Sequence, residues 1–303
     1  MSSIKYRHYL PQWLVAPHGK PRIVVIGAGG TGSKVITELG QLDSTMRALG
    51  HVGFNVKVFD GDRVSESNVG RQLFSPADIG LNKGQVIIGR VNRFFGLSWE
   101  AVPHMWTGAQ QDSYLHHTVY ISAVDSAAAR KLIAARLQRS PGGVYWLDTG
   151  NTSTTGQAIL GLLGKEGIQQ PKGITNTVPA LPTVTDLYPD IGENDTSDLQ
   201  GPSCSVRESI ERQSLPINRW VSTCVFQLLW QGLRKGYLTH HGAFVNSDTM
   251  TVRPLPIDPD VWKRMGWDPT PAVGKSKVRK KTTAASKAAV AGGYDERIGS
   301  AEA

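Results

Sequence analysis

Between Asp60 and Gln72, in the segment DGDRVSESNVGRQLF, two carboxylates, two carboxamides and a guanidinium crowd into thirteen residues: Asp60, Asp62, Asn68, Arg71 and Gln72. Lys83 adds a second cation in the segment DIGLNKGQV. Cations at this density suit a polyphosphate, because they neutralise charge that develops as a phosphoryl bond is attacked or broken. A nicotinamide site would instead need an apolar slot for a flat ring. Asp60 ends the apolar run FNVKVFD, where a carboxylate holds a ribose hydroxyl in a dinucleotide or an ATP site alike. Asp125 closes a second such run, TVYISAVD, and magnesium commonly bridges one or two carboxylates to phosphates. Each residue also has a plainer reading. Arg71 could sit in a surface ion pair, Lys83 in a solvated first turn, and Asp125 could cap the helix SAAARKLIAARL.

These side chains need a frame, and the stretch RIVVIGAGGTGSKVITELG begins it. An apolar run leads into Gly27, Gly29, Gly30 and Gly32, in which Gly27, Gly29 and Gly32 have G-x-G-x-x-G spacing before a helical segment. Glycines let the backbone approach an anion, and the unpaired amides at the positive end of the helix face it. Periodicity predicts strands over 22–27, 54–59, 99–104, 118–124, 143–148 and 155–164, and helices over 31–48, 83–95 and 126–139. That alternation predicts an α/β fold: a doubly wound, mostly parallel Rossmann-like sheet with helices on both faces and the ligand at its carboxyl edge. A helix over 216–236, with Pro216 at its start and Gly236 after its end, and a hairpin turning near Asn246 to Asp248 form a C-terminal elaboration. The expected divisions are an N-terminal arm (1–20), a nucleotide-binding core (21–170), an acidic crossover loop (171–203), a cysteine-bearing helix region with the hairpin (204–258), and a basic tail (271–303). The loop is expected to be mobile, since Gly173 to Val206 lack Lys and Arg while Asp186, Asp190, Glu193, Asp195 and Asp198 accumulate.

The motifs GAGGTG, DGDRVSESNVGRQLF, DIGLNKGQV and ISAVDS, in this order, resemble the adenylation core of the ubiquitin-activating-enzyme (E1-like) superfamily, which includes ThiF and MoeB. PSCSVRESIERQSLPINRW and HHGAFVN further resemble the ThiF-family member of PRTRC operons, so the likeness runs over about residues 20 to 255. The resemblance implies an ATP site built from Gly27, Gly29, Gly30, Gly32, Asp60, Asp62, Asn68, Arg71, Gln72, Lys83 and Asp125. Asp60 would take the ribose, Asn68, Arg71 and Lys83 the phosphates, and Asp125 a magnesium ion. It implies adenylation of the C-terminal glycine carboxylate of a small ubiquitin-like β-grasp protein, a homodimer, and a conjugating-enzyme-like protein downstream. Two alternatives stay open: activation of another acid or an RNA base without a protein thioester, and an NAD-dependent oxidoreductase sharing only the Rossmann turn.

Cysteine usage bears on the acceptor. The chain has two, Cys204 in GPSCSVRES and Cys224 inside WVSTCVFQLLWQGL, so neither a disulfide scaffold nor a tetrathiolate zinc site is expected. Cys204, with Arg207 nearby and a helix following, is the candidate acyl acceptor, against the alternative of a structural cysteine. Cys224 reads as core. The adjacent pairs His116–His117 and His240–His241 do not share a helical face, which argues against a metal site.

At 303 residues with 40% hydrophobic content, the chain can bury a full α/β core. It offers no apolar run of spanning length and no signal-peptide core, so a cytoplasmic location and no membrane contact are expected. The net charge of +8 owes much to Lys275, Lys277, Arg279, Lys280, Lys281 and Lys287. Without interleaved aromatics, that tail reads as solubilising in preference to nucleic-acid binding.

Overall fold

The computed structural model describes residues 6–108, 117–190 and 214–268, all within one compact unit. Cys204, Glu193, Asp195, Asp198 and the basic tail lie outside the described residues.

Five parallel strands make the centre of an eight-stranded sheet: β2 (Arg22–Ile26), β3 (Asn55–Phe59), β4 (Glu100–Val102), β5 (Thr118–Ser122) and β6 (Val144–Asn151). They stand in the order β4-β3-β2-β5-β6, so the chain winds outward from β2 first one way and then the other. Runs such as RIVVI and TVYIS are buried along nearly their whole length, as expected of strands covered on both faces. Beyond β6 the sheet turns antiparallel through β7 (Thr155–Leu163), β9 (His240–Asn246) and β10 (Thr251–Pro256). A separate two-residue pair joins β1 (His8–Tyr9) to β8 (Tyr237–Leu238).

The helices begin and end where their sequences say. In α2 (Gly30–Ala48) the first residue belongs to the glycine turn; α3 (Lys83–Phe95) is capped by Asn82, whose Oδ1 accepts from the Gln85 amide at 3.0 Å. Gly96, with φ 65°, and Gly236, with φ 72°, end α3 and α6 (Ile217–Lys235) in the left-handed conformation that favours glycine. α4 (Ala127–Leu137) takes its cap from Ser126, whose Oγ accepts from the Ala129 amide at 3.2 Å. Among the described residues, α6 also covers β6 and β7 with Val221, Val225 and Leu229, as an elaboration should.

One expectation needs correction. Through Asp190 the acidic stretch is packed: Val178, Leu181, Val184 and Leu187 are buried, and α5 (Val184–Leu187) is capped by Thr183 in a box with Asp186. A Cβ on Gly161 would lie 2.5 Å from the Thr183 Cα, so this stretch sits directly on β7. Four apolar residues at three-residue spacing outweigh the acidic composition. The N-terminal arm is likewise built in by its buried His8, which bonds the Val178 carbonyl at 2.8 Å and accepts from the Tyr145 hydroxyl at 2.6 Å. His241 is a core residue too. It donates to the Leu160 carbonyl at 2.8 Å and accepts from Trp262 Nε1 at 2.9 Å, with α7 (Pro259–Arg264) bringing the tryptophan.

Candidate functional site

β2, β3 and β5 pair in register, with Ile26 opposite Phe59 and Ser122. The residues that follow them, Gly27, Asp60 and Ala123 to Asp125, therefore emerge together at one edge of the sheet. Between β2 and β5 the winding reverses, and a crevice opens there, as at other switch points of doubly wound sheets. The cleft has a volume of about 910 Å³.

The glycines divide the work of its floor. Gly27 has φ +95°, and a Cβ there would lie 2.5 Å from the Ala123 carbonyl oxygen; a Cβ on Gly32 would lie 2.1 Å from the Gly27 oxygen. Those two let the strand turn and the helix close on it. Gly29 alone of the three has nothing within 4 Å of a Cβ and faces the cleft, so the floor is open there. Gly30 also lines the cleft, packed on Asn218.

Asp60 leaves β3 buried, with Oδ2 accepting from the Ala28 amide at 2.5 Å and Oδ1 from the Asp62 amide at 2.8 Å. It thus braces the glycine turn as well as facing the cleft. Burial raises its carboxyl above the ordinary range, against the opposing pull of those two amides and of Lys83. Lys83, buried at the start of α3, reaches Asp62 Oδ2 at 2.9 Å, and Asn82 Nδ2 ties the Asp60 and Asp62 carbonyls at 2.8 and 3.1 Å. Arg71 and Gln72 line the cleft beside them, and burial works against the Arg71 charge. The Gln72 Oε1 is buried without a hydrogen-bond partner among the described residues.

Asp125 lines the same cleft and makes no hydrogen bond or ion pair with any described residue. Because Ser126 caps α4, the Asp125 carboxylate is not spent on the helix. One carboxylate on an open cleft is the donor set that magnesium uses when it keeps waters and takes its other ligands from a nucleotide. The residues fit that ion.

Two expected ligands stand elsewhere. Asn68 is buried off the cleft lining, where its Oδ1 accepts from the Ser65 amide at 3.0 Å and its carbonyl from the Gln72 amide at 2.9 Å. It shapes the turn that presents Arg71 and Gln72. Gly32 is a packing glycine. Cys224 is half-buried, and burial together with Glu38 pushes its thiol up to about 11, so it is protonated and inert at neutral pH. Arg7, an N-terminal arginine, stacks 4.6 Å over the Tyr237 ring.

Sequence reasoning passed over the other wall. Thr31 Oγ1 lies 2.9 Å from Asn218 Oδ1 and 3.2 Å from Asn151 Oδ1, and Gln157 lies over Gly150. With Thr152 these neutral groups line the end of the cleft beyond Asp125. Arg130 lines the cleft as well, paired with Asp148. An arginine in the otherwise apolar opening turn of AAARKLIAARL was the available signal for it; Asn218 announced itself only as a polar residue in a covering helix.

Comparison with known proteins places the chain in a family. Residues 19–250 match the model of the ThiF family. The NEDD8-activating enzyme E1 catalytic subunit of Arabidopsis thaliana is 38% identical over 117 residues, covering 37% of this chain and 23% of that protein. Among solved structures, E. coli MccB overlays with a TM-score of 0.53 at 15% identity, covering 81% of this chain and 64% of MccB. MccB with ATP overlays with 0.54 at 14%, covering 80% and 64%. The chain thus spans less than two thirds of the length of each, and the overlays establish the α/β fold. With the family match extending over most of its length, the chain belongs to the ThiF family.

Proposed function

We propose that this protein adenylates the C-terminal carboxylate of a small ubiquitin-like β-grasp protein, using ATP and magnesium, and passes the acyl group to Cys204. The observation that carries the reading is the convergence of an open phosphate seat at Gly29, two cations and a carboxylate without a described partner on one cleft at the switch point. It disfavours the nicotinamide alternative, whose ring would lie against Lys83, Arg71 and Asp125.

The ATP ribose lies at Asp60 and its polyphosphate on the amides that open α2, flanked by Arg71 and Lys83. An acyl carboxylate oxygen attacks the α-phosphorus, the bond to the β-phosphate oxygen breaks, and pyrophosphate leaves, giving the acyl-adenylate. Magnesium beside Asp125 supplies charge neutralisation at the α-phosphate when bound. Catalysis is then positioning and electrostatic stabilisation, with no general base required, since the nucleophile is already an anion. Asn151, Gln157 and Asn218 offer the incoming tail neutral donors and acceptors that match peptide groups. In the second step the Cys204 thiolate attacks the acyl carbonyl and AMP departs.

The relative's name, a NEDD8-activating enzyme, supports a protein substrate. MccB has been solved with MccA, which supports the second reading, activation of another acid without a protein thioester. Incubation with ATP, magnesium and each small β-grasp protein encoded nearby separates the two. AMP release with a thiol-reducible adduct supports the first, AMP release without an adduct keeps the substrate but removes the Cys204 step, and no AMP release with any such protein refutes the proposed substrate and leaves the second. A homodimer, a conjugating partner, a PRTRC setting and a cytoplasmic location belong to the same proposal.

A further inference from the structure

At the wall of the cleft lies a buried ion pair for which the adenylation scheme has no direct use. Arg130, one turn into α4, places Nε 3.2 and 3.1 Å from the two carboxylate oxygens of Asp148 on β6. Arg130 is 6% exposed and Asp148 0%. Removing both charges from water costs so much that such a pair contributes little net stability, although breaking it is costly. Its geometry is more telling. Arg130 Nη2 donates to the Val124 carbonyl at 2.6 Å and to the Thr149 carbonyl at 3.0 Å, joining the chain just after β5 to the end of β6. Asp148 is in turn held by the Ser122 hydroxyl at 2.6 Å, Ser122 accepts from Trp146 Nε1 at 2.8 Å, and Thr149 Oγ1 donates to the Ser122 carbonyl at 2.9 Å.

Val124 immediately precedes Asp125. Since the Asp125 carboxylate has no described partner, its place is set by its backbone: by the Ser126 cap on one side and the grip on the Val124 carbonyl on the other. We propose that Arg130, oriented by Asp148, is the positioning residue that holds the Asp125 carboxylate where it can reach a magnesium ion. A lysine could not replace it, because one ammonium cannot reproduce the planar fork that meets a carboxylate and two carbonyls together. The inference rests on the reading of Asp125 as the magnesium carboxylate.

The test is ATP binding by titration calorimetry, in magnesium and in EDTA, on full-length wild type, Arg130→Lys, Ser122→Ala, Asp125→Asn and the Arg130→Lys/Asp125→Asn double variant, each checked for cooperative unfolding. Partners that orient a metal ligand typically change metal affinity about 10- to 100-fold. Arg130→Lys should lose about tenfold or more of the affinity that magnesium adds, keep its EDTA affinity within about threefold, and add nothing to the loss in Asp125→Asn. Ser122→Ala, which loosens Asp148 while keeping the pair, should lose part of the magnesium gain. A folded Arg130→Lys with the full magnesium gain overturns the inference, and if that variant does not fold, an unchanged gain in Ser122→Ala does so. Loss in Asp125→Asn with retention in Arg130→Lys sinks the positioning role alone, whereas retention in Asp125→Asn sinks the Asp125 reading and the inference with it.

Discussion

Replacing Gly29 with alanine should separate folding from phosphate binding. Gly29 has φ −74° and ψ −143°, between the two regions alanine favours, but its added methyl would meet nothing within 4 Å. The backbone adjustment and the weaker cap on α2 should together cost about 1–3 kcal/mol, a fall in Tm of about 2–12 °C for a domain of this size. The methyl would, however, stand where the polyphosphate approaches the helix amides. Each charge-assisted hydrogen bond lost there is worth about 1.5–3 kcal/mol, so ATP affinity should fall by about tenfold or more. In a thermal-shift assay at 100 times the wild-type Kd, ATP adds about 2.7 kcal/mol to the wild type, and half of that or less to Gly29→Ala. Gly27→Ala is the contrast: with φ +95° and the Ala123 oxygen 2.5 Å away, it should lose stability and ATP binding together. The φ alone costs about 1–2 kcal/mol. A folded Gly29→Ala variant with wild-type ATP affinity would refute the placement of the phosphates.

Lys83→Met removes a cation from the cleft wall and should cut the rate of adenylate formation about 10²- to 10³-fold in single-turnover assays, with a smaller change in ATP affinity. Equal losses in both would make Lys83 a ground-state contact only. Cys204→Ser should leave pyrophosphate exchange intact and abolish the reducible adduct; loss of exchange as well would contradict the two-step scheme. Acid should destabilise the fold, read by urea unfolding at pH 7, 5.5 and 4. His8 and His241, both buried, are pushed down to about 4 from 6.5, so the unfolded chain takes up two protons first and stability falls between pH 6.5 and 4. Each shift corresponds to about 3 kcal/mol. Glu38, pushed up to about 7 from 4.5 chiefly by burial, acts oppositely, regaining about 2 kcal/mol over the same range after allowance for its exposed part. Glu38→Gln should therefore steepen the acid loss, and a stability that rises toward pH 4 would contradict the buried neutral histidines.

Much of the frame was legible because its signals are local. The runs RIVVI, NVKVF and TVYIS, each followed by a turn and a helix, carry their own periodicity, and the ends of α3 and α6 are written in Asn82, Gly96, Pro216 and Gly236. The glycine spacing located the strand-to-helix turn at the cleft floor. What it left open was which glycine serves the ligand, since Gly27 and Gly32 answer to packing against Ala123 and the turn itself. Asn68 says less, because a carboxamide in a polar loop reads the same whether it serves a ligand or, as its Oδ1 does here, folds back on the Ser65 amide. The wall of Asn151, Gln157 and Asn218 was invisible because β6, β7 and α6 meet there only in the folded chain. Val178 to Leu187 were hidden by composition: threonines, prolines and acids masked four apolar residues whose burial depends on the surface that β7 provides.

The most direct measurement asks which bond of ATP breaks. Phosphorus NMR of the reaction with magnesium, ATP and a β-grasp partner should show AMP and pyrophosphate. It should show them only when the partner ends in a free carboxylate, and not when that terminus is a carboxamide. ADP with inorganic phosphate, or AMP formed equally with the amidated partner, would contradict adenylation of a carboxylate in this cleft.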